Sequence, residues 1–477
     1  MPDQFDLIVI GAGPAGALGA AQAAALGKRV ALVEREPYLG GAGLSTGTMP
    51  SKMLREAAVM LAALRQRGPS MLQFALAPNT RLSDLMYNKD VVIEAAWGVI
   101  QRNCERQNIR IVRGTAAFRD ARTVIVTGLT EAGPAEEELM GGAILVATGS
   151  TSIHPALFPF DHPQVRDAES VLTLEYLPKS IAIIGGGTIG CEYASICNAL
   201  GVRVTVVEAR QRVLASVDAE LAARWQKHLA QQGVQFLLGN SVTQVQTPKP
   251  GQTGEVRLAL EHGPELAAEV VLVAVGRYGQ AAGLNLEAAG LAANDKGNIA
   301  VNEHYQTRVA HIYAAGDIVG WPALASTSME QARVAVAHAF HQPDSAGQAI
   351  HPVAVYTIPE VGMVGLSEDA CRQQNIAYSV GRADFVNNPH AQISGDTSGM
   401  LKLIFAPADQ RLLGVHLMCA GASDLIHLGA HVLASGGTLE AFTQVVYNYP
   451  TLSEAYKAAA LDGLAALQRS EAAEKLG

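Results

Sequence analysis

Cysteine is scarce in this chain of 477 residues, and it is scattered. The five cysteines are Cys104, Cys191, Cys197, Cys371 and Cys419, and none of them shows CxxC spacing. An odd, dispersed set does not fit a disulfide framework and favours a reducing, cytoplasmic setting. Cys191 and Cys197 share a predicted helix, but six residues of separation put them about 240° apart around its axis, so no bridge is expected.

Positive charge is not concentrated anywhere in the sequence. The net charge is −9 and no basic run occurs. A nucleic-acid partner is therefore not expected, because phosphate binding needs a concentrated positive patch. No stretch approaches the roughly 20 uninterrupted apolar residues of a membrane span. Asp3 and Asp6 precede the first apolar stretch, where a secretory signal would carry positive charge, so no signal peptide is expected.

A repeat organises the chain. Residues 7–34 read LIVIGAGPAGALGAAQAAALGKRVALVE, and residues 181–208 read IAIIGGGTIGCEYASICNALGVRVTVVE. Each copy is an apolar strand, a GxGxxG turn, an alanine-rich helix, a second apolar strand and an acid, Glu34 or Glu208. The turns contain Gly11, Gly13 and Gly16 in the first copy and Gly185, Gly187 and Gly190 in the second. With its full strand–turn–helix–strand context, the motif is typical of dinucleotide binding.

Each residue of the motif has a physical task. The first glycine makes a tight turn, the second lets backbone approach a pyrophosphate, and the third lets the helix pack on the strand. Free N–H groups at the helix start then hold the phosphates, and the acid binds ribose hydroxyls. Two copies predict two dinucleotides. These need not be alike, since one can be held permanently while the other is a passing substrate.

The same pattern predicts the division of the chain. At 49% apolar residues the sequence has enough material for large cores, and its length indicates roughly three domains. We expect an α/β fold with two Rossmann-like units and an α+β C-terminal domain. The expected ranges are 1–150 for the first unit, 151–276 for the second, 277–346 for a return to the first, and 347–477 for the C-terminal domain, where residues 399–419 read as two strands joined by a polar turn.

Together these residues resemble the FAD-dependent pyridine nucleotide–disulfide oxidoreductases over essentially the whole chain. The resemblance implies bound FAD, NAD(H) or NADP(H) as a passing substrate, and a homodimer formed by the C-terminal domain. In that family the loop equivalent to residues 40–52 reads GGxCxxxxCxPSK, and its two cysteines form a redox disulfide beside the flavin. Gly43 and Thr48 stand at those positions here.

A second family residue is also missing. The terminal motif His-Pro-Thr-x-x-Glu supplies an acid/base histidine from the partner subunit, and here Tyr449 replaces the histidine while Glu454 is kept. The absence of the two cysteines and the absence of the histidine are consistent with each other, because a histidine that deprotonates a thiol has no function where no thiol exists. Disulfide exchange also needs a thiolate. We therefore expect the loop to perform no covalent chemistry and to bring Lys52 and backbone against a flavin.

Within the family, the soluble pyridine nucleotide transhydrogenases are most similar. That group typically has threonine at the position of Thr48 and a terminal run like residues 448–456, although it usually keeps the cysteine that Gly43 replaces. Glu208 favours NAD(H) by bonding its free 2′-hydroxyl, whereas Arg210 and Arg212 lie nearby and could meet a 2′-phosphate. The sequence leaves both readings open.

The resemblance implies roles for further residues, each with a structural alternative. Lys52 lies beside flavin N5 and pairs with Glu192, or the two form a structural ion pair. Asp317 bonds the ribityl chain, or caps a turn. Tyr449 covers the flavin face or bonds a substrate, or packs at a subunit interface. The remaining candidate cofactor contacts are Gly41, Thr48, Thr148, Gly149, Gly276, Gly316, Leu324 and Ala325.

The expected function is hydride transfer between NAD(P)H and NAD(P)⁺ through FAD, without thiols. Two alternatives stay open, an NADH-dependent reductase of quinones, dyes, metal ions or oxygen, and a non-catalytic nucleotide-binding protein. His427 and His431 have a spacing that can bind metal on a helix, but no acid completes an HExxH motif, and no metal is expected.

Overall fold

The computed structural model describes residues 3–67, 77, 80–130, 133–249, 252, 254–343 and 350–474. The helices are α1 (Pro14–Ala25), α2 (Gly41–Ser45), α3 (Thr48–Arg67), α4 (Leu82–Leu85), α5 (Lys89–Arg106), α6 (Thr188–Ala199), α7 (Ala219–Gln231), α8 (Ala325–Ala339), α9 (Glu368–Gln373), α10 (Pro389–Ser394), α11 (Ala422–Ala434), α12 (Glu440–Thr443) and α13 (Glu454–Glu474). Among the described residues, no helix combines the length and the hydropathy needed to span a bilayer.

The strands are β1 (Asp3–Ile10), β2 (Val30–Glu34), β3 (Arg110–Arg113), β4 (Thr115–Phe118), β5 (Thr123–Thr130), β6 (Gly133–Val146), β7 (Ser150–Ser152), β8 (Val165–Arg166), β9 (Ser180–Ile184), β10 (Arg203–Glu208), β11 (Gln235–Leu238), β12 (Val242–Gln246), β13 (Val256–Leu260), β14 (Leu266–Ala268), β15 (Val270–Val273), β16 (Arg277–Gly279), β17 (Ile312–Ala314), β18 (Val353–Val355), β19 (Glu360–Gly365), β20 (Ser379–Asp384), β21 (Met400–Phe405) and β22 (Leu412–Cys419).

The chain divides into two compact units. The first comprises Met1–Met53, Ser83–Ile153 and Gly276–Ala349, and the second comprises Leu54–Leu82, His154–Val275 and Ile350–Gly477. The four-part division expected from the sequence stays a prediction. Its last boundary, between residues 346 and 347, lies outside the described residues.

The first unit is built on a sheet with the order β3-β2-β1-β6-β5-β4, and β17 also pairs with β6. Strands β1, β2, β3 and β17 run parallel to their neighbours, while β4 and β5 form an antiparallel extension. The central strand β1 carries a continuous apolar run, Leu7–Ile10, which is buried. Such a run is typical of a parallel strand covered on both faces.

The second unit contains a parallel sheet with the order β11-β10-β9-β15-β8 and a small antiparallel sheet, β12-β13-β14. It also contains the C-terminal antiparallel sheet, β18-β19-β22-β21-β20. Strands β21 and β22 are the pair expected from residues 399–419. The predicted fold class, two parallel nucleotide-type sheets with an α+β C-terminal part, is confirmed.

Helix α13 packs against β20 through a backbone contact at a pair of glycines, Gly381 and Gly463. A Cβ on Gly381 would stand 2.1 Å from the carbonyl oxygen of Ala459 and 2.9 Å from the backbone nitrogen of Gly463. The helix backbone therefore lies directly on the strand, and the Phe405 ring fills the space beside Gly463.

Gly381→Ala should therefore force strand and helix apart. We expect the free energy of unfolding to fall by about 1–3 kcal/mol, the usual cost of overpacking a close contact. Thermal and urea unfolding would measure this. Ser379→Ala in the same strand is the matched control and should leave stability within about 0.5 kcal/mol; equal stability of the two variants would contradict the described packing.

Candidate functional site

Both copies of the repeat form the same turn. Helices α1 and α6 have the same length and begin at residues 14 and 188, so the register of the sequence repeat is kept in three dimensions. Gly11 and Gly185 adopt φ angles of 99° and 106°, which glycine tolerates without strain. Gly13 and Gly187 precede the helices in extended conformations, with φ of −66° and −75°.

The second and third glycines of each turn have opposite surroundings. A Cβ on Gly16 or Gly190 would stand 1.8 Å or 1.9 Å from the carbonyl oxygen of the first glycine in its own turn. A Cβ on Gly13 or Gly187 would meet no described atom within 4 Å beyond its chain neighbours. Each helix therefore rests directly on its turn, and the backbone at the second glycine is open to a ligand.

The acid at the end of each second strand binds the turn. Oε2 of Glu34 accepts the N–H of Ala12 at 2.8 Å, and Oε1 accepts the N–H of the residue two positions after Glu34 itself at 2.9 Å. Glu208 likewise accepts the N–H of Gly186 at 2.6 Å and the N–H of the residue two positions after Glu208 itself at 2.8 Å. Both carboxylates are buried. Each oxygen keeps a second lone pair, so a ribose hydroxyl can still bind.

The loop from residue 40 to 52 lies against the first turn. A Cβ on Gly41 would stand 2.9 Å from the Cα of Gly13, and one on Gly43 would stand 3.3 Å from the ring of the first residue of α1. Thr48 is the first residue of α3, and the half-buried Lys52 follows one turn later. The loop thus covers the start of α1 with backbone and small side chains.

A polar cluster forms where β6 and β17 end. These strands are parallel neighbours, so their carboxyl ends meet at one edge of the sheet. The hydroxyl of Ser150 donates to Oδ2 of Asp317 at 2.6 Å, and Nε of Arg277 donates to the same hydroxyl at 2.7 Å. The guanidinium nitrogen lies 3.9 Å from the carboxylate. Ser150 therefore fixes the direction of Asp317, and Arg277 offsets its charge.

The neighbouring residues leave a polar atom without a protein partner. Oγ1 of Thr148 is buried and has no hydrogen-bond partner among the described residues. Gly149 and Gly276 adopt φ angles of 73° and 135°, and both lie where strands leave their sheets. A buried hydroxyl without a partner is rare in folded proteins, and it fits a site whose acceptor comes from a ligand such as FAD.

Three further candidates, Gly316, Leu324 and Ala325, also belong to the first unit. Gly316, at φ 85°, donates its N–H to Oε1 of Gln331 at 2.7 Å, and a Cβ there would stand 3.3 Å from Ala15 in α1. Leu324 is the extended residue before α8, and Ala325 is its first helical residue. The N–H groups at a helix start have no intrahelical acceptor and carry positive potential, so they suit a negatively charged ligand edge.

Glu192 is held by a segment that sequence reasoning did not assign to it. It lies in α6 with 8% exposure, and its Oε1 accepts the N–H of Tyr356 at 2.9 Å. One turn later, Oγ of Ser195 accepts the N–H of Ile358 at 3.0 Å. Lys52 belongs to the first unit and Glu192 to the second, and their pairing stays a prediction.

The two C-terminal candidates differ in environment. The side chain of Tyr449 is 73% exposed. Glu454 is the first residue of α13, and its Oε2 accepts the N–H of Thr451 at 3.3 Å, as in a helix-capping box. Glu454 also lines a cleft of about 800 Å³ with Tyr447 and Lys457. The structure thus gives Glu454 a local structural contact.

The two arginines after β10 also differ. Arg210 is exposed, and its backbone N–H is one of the donors to Glu208. The Arg212 guanidinium donates to the carbonyl oxygen of Ala215 at 3.0 Å and lies 3.7 Å from Asp369. The guanidinium of Arg212 is therefore already bound by other groups of the protein. The spacing in the sequence could not distinguish Arg212 from Arg210 in this respect.

The thiols are inaccessible. All five cysteines are buried and free. Burial raises the pKa of Cys197 to about 12 and raises that of Cys191 still further, so neither forms the thiolate on which reactivity depends. In the described part of the chain, no group of three or more histidine, cysteine, aspartate or glutamate side chains could hold a metal ion.

Sequence reasoning missed several contacts of this region. Ser150, Arg277 and Gln331 orient Asp317 and Gly316, although Ser150 and Arg277 directly follow glycines that were themselves singled out. The Tyr356 contact joins residues 164 positions apart, and no local signal marks it.

Comparisons with known proteins give one family. Residues 5–339 match the family model for pyridine nucleotide-disulphide oxidoreductases, and residues 351–460 match that family's dimerisation domain. The soluble pyridine nucleotide transhydrogenase of Mycobacterium bovis BCG is 40% identical, covering 96% of this chain and 97% of that protein. Its counterpart from a Marinomonas species is 37% identical, covering 96% and 98%.

A solved structure is also similar throughout. The HOCl-induced flavoprotein disulfide reductase RclA of Escherichia coli is 26% identical and superposes with a TM-score of 0.84. The match covers 96% of this chain and 99% of RclA.

The glycine environments predict opposite outcomes for two neighbouring substitutions. Gly190→Ala should lower the free energy of unfolding by about 1–3 kcal/mol, because its Cβ collides with the turn. Gly187→Ala should leave unfolding nearly unchanged but raise the dissociation constant of NADH about tenfold or more, or about 1.4 kcal/mol. Thermal unfolding and isothermal titration would measure the two effects. Unchanged NADH binding by Gly187→Ala would contradict a nucleotide site at this turn.

Proposed function

Because this chain belongs to the pyridine nucleotide-disulphide oxidoreductase family, we propose that it is a thiol-independent NAD(P)⁺ transhydrogenase. The family binds FAD and pyridine nucleotides. The observation that carries the proposal is that both glycine turns are intact while Gly43 and Thr48 occupy the places of the redox thiols. Relatives that carry the transhydrogenase name match nearly the full length and support it.

We assign FAD to the first unit. The backbone N–H groups around Gly13 would hold the pyrophosphate, Glu34 a ribose, and Asp317 the ribityl chain. The hydroxyl of Thr148 would gain the partner it lacks. When bound, FAD takes hydride from a reduced nicotinamide and returns it to an oxidised one.

The remaining residues of that site would act electrostatically. The N–H groups of Leu324 and Ala325 at the start of α8 would stabilise negative charge on the reduced ring system, as a positive helix end does. Lys52, with Glu192 as its counter-ion, would favour the same charge state. None of these groups would form a covalent bond to substrate. Their contribution would be to position the reacting groups and to set the electrostatic potential around them.

The second turn would bind the passing nucleotide. Backbone at Gly187 faces open space, and Glu208 keeps lone pairs for a 2′-hydroxyl. Arg210, which is exposed, is our candidate for a 2′-phosphate, since Arg212 is already bound by the protein. One site would then serve NAD(H) and NADP(H) in turn.

We also propose a homodimer. The dimerisation-domain match over residues 351–460 supports it. The 73% exposed side chain of Tyr449, followed by the capped start of α13, is available to a partner subunit.

An NADH-dependent reductase of quinones or similar acceptors is the second candidate. The observation that favours it is the buried Glu208 carboxylate, an acid at the position that selects NAD(H). A flavin without thiols could pass electrons to any acceptor that reaches it.

Anaerobic steady-state assays separate the two functions. The purified protein should be yellow, and it should reduce thio-NAD⁺ with NADPH. The activity should survive iodoacetamide, because every thiol is buried. Activity with NADH and a quinone, but none between nucleotides, would favour the second candidate. Colourless protein without turnover would overturn both.

Glu208→Ala should change nucleotide preference. We expect kcat/KM for NADH to fall about tenfold more than that for NADPH, because only NADH loses its 2′-hydroxyl partner. Steady-state kinetics with both nucleotides would measure the ratio. Glu34→Ala, the equivalent change in the first copy, is the matched control; it should weaken FAD retention and leave the NADH/NADPH ratio unaltered. If the ratio of kcat/KM for NADH to that for NADPH stayed unchanged in Glu208→Ala, Glu208 would have no role in selecting between the two nucleotides.

A further inference from the structure

Lys402, a lysine of the second unit, is almost completely buried. It lies in β21 with 1% exposure, and its ammonium contacts three carboxylates. Both oxygens of Asp218 lie at 2.9 and 3.0 Å, Oε2 of Glu220 lies at 3.0 Å, and Glu368 completes the set. Lysines are almost never fully buried unless paired, so the burial of this ammonium depends on its three carboxylate partners.

The surrounding side chains complete the charge balance. Arg382, on the neighbouring strand β20, donates to both oxygens of Glu220 at 3.0 to 3.1 Å. His416 lies opposite Lys402 on β22, and its Nε2 donates to the carbonyl oxygen of Leu366 at 2.9 Å. Burial lowers the pKa of His416, so the imidazole stays neutral beside the ammonium. Arg372 donates to Oε2 of Glu368 at 3.0 Å. Three cations therefore face three carboxylates.

The cluster fixes the end of the loop that follows β10. Asp218 caps helix α7, accepting the N–H groups of Glu220 and Leu221 at 3.1 and 3.4 Å, while it also binds the ammonium. The loop, residues 209–217, begins at Glu208, whose carboxylate binds the second glycine turn. It is thus attached to the turn at its start and to the C-terminal sheet at its end.

Between these attachments the loop lies on the glycine turn. The N–H of Leu214 donates to the carbonyl oxygen of Gly186 at 2.8 Å, and a Cβ on Gly186 would stand 2.7 Å from Val213. Leu214 is buried with φ 49°, a left-handed conformation that a branched side chain rarely adopts. Such backbone persists only where the surrounding structure over-determines it, and it is typical of ligand-binding segments.

We propose that Lys402 is a positioning residue for the nucleotide site of the second unit. Through Asp218 it holds residues 209–217 in the strained conformation that supports the carbonyl of Gly186, and so it shapes the turn without touching the nucleotide. Arg212, bound near Asp369 of α9, provides a second attachment of the same loop. The inference rests on the proposed function only in taking this turn as the pyridine nucleotide site.

Hydrogen exchange of the loop tests the proposal in the full-length holoprotein. In Lys402→Met and in Asp218→Asn, amide exchange in peptides covering residues 209–217 should rise about tenfold or more, with little change elsewhere. Asparagine keeps the helix cap but loses the charge that binds the ammonium. If Lys402→Met does not fold, Asp218→Asn carries the test alone.

Nucleotide binding provides the second readout. The dissociation constant and the KM of NADH should rise about tenfold in these variants, while kcat at saturating NADH stays within about twofold. Tyr456→Phe is the control, because it removes the hydrogen bond that the Tyr456 hydroxyl donates to the carbonyl oxygen of Leu425 at 2.7 Å, in the same C-terminal part. It should lower thermal stability and leave both loop exchange and NADH affinity unchanged.

Two results would overturn the proposal. If amide exchange of the loop stayed at the wild-type rate in both variants, Lys402 and its carboxylates would stabilise the protein without holding the loop. If exchange of the loop became faster while the affinity for NADH stayed unchanged, the conformation of the loop would have no effect on nucleotide binding. If the wild-type protein binds neither NADH nor NADPH, the proposed function fails, and the exchange result still decides whether Lys402 holds the loop.

Discussion

The described architecture depends on one steric constraint, the approach of a helix to the end of the strand before it. In both copies a Cβ on the third glycine of the turn would stand less than 2 Å from the carbonyl oxygen of the first glycine. This contact places the N-terminus of each helix at the edge of its sheet, where unsatisfied N–H groups and the helix dipole favour an anion. The buried acids then bind the turn and keep its backbone in the required conformation.

The two copies share this turn, but different residues surround it in each unit. In the first unit, Gly41 lies against the turn, and the cluster of Ser150, Arg277 and Asp317 adds polar groups at the neighbouring strand ends. In the second unit, the turn is supported instead by Leu214, whose loop ends at the buried ammonium of Lys402. The same backbone motif is thus completed by unrelated residues in the two units.

Much of this could be predicted from the sequence, because the repeat is local. The glycine spacing, the apolar strands and the acids all lie within 28 consecutive residues, so the turns and the parallel sheets followed from pattern alone. The contacts that orient the site did not follow. Ser150 and Asp317 are 167 positions apart, and Lys402 and Asp218 are 184 apart. Such pairs are set by sheet order and by packing, for which a single sequence carries no local signal. The pairing of Lys52 with Glu192 and the role of Tyr449 remain predictions for the same reason.

Gly43 and Thr48, which stand where the family has its two loop cysteines, would limit electron storage at the proposed flavin site. A dithiol–disulfide couple is a two-electron reservoir, and a flavin beside one can keep a reducing equivalent while the ring is reoxidised. With the five remaining thiols buried and separate, the proposed site could hold only one hydride equivalent per subunit. Donor and acceptor would then have to alternate strictly, which imposes a ping-pong order and makes departure of the first product a condition for every turnover.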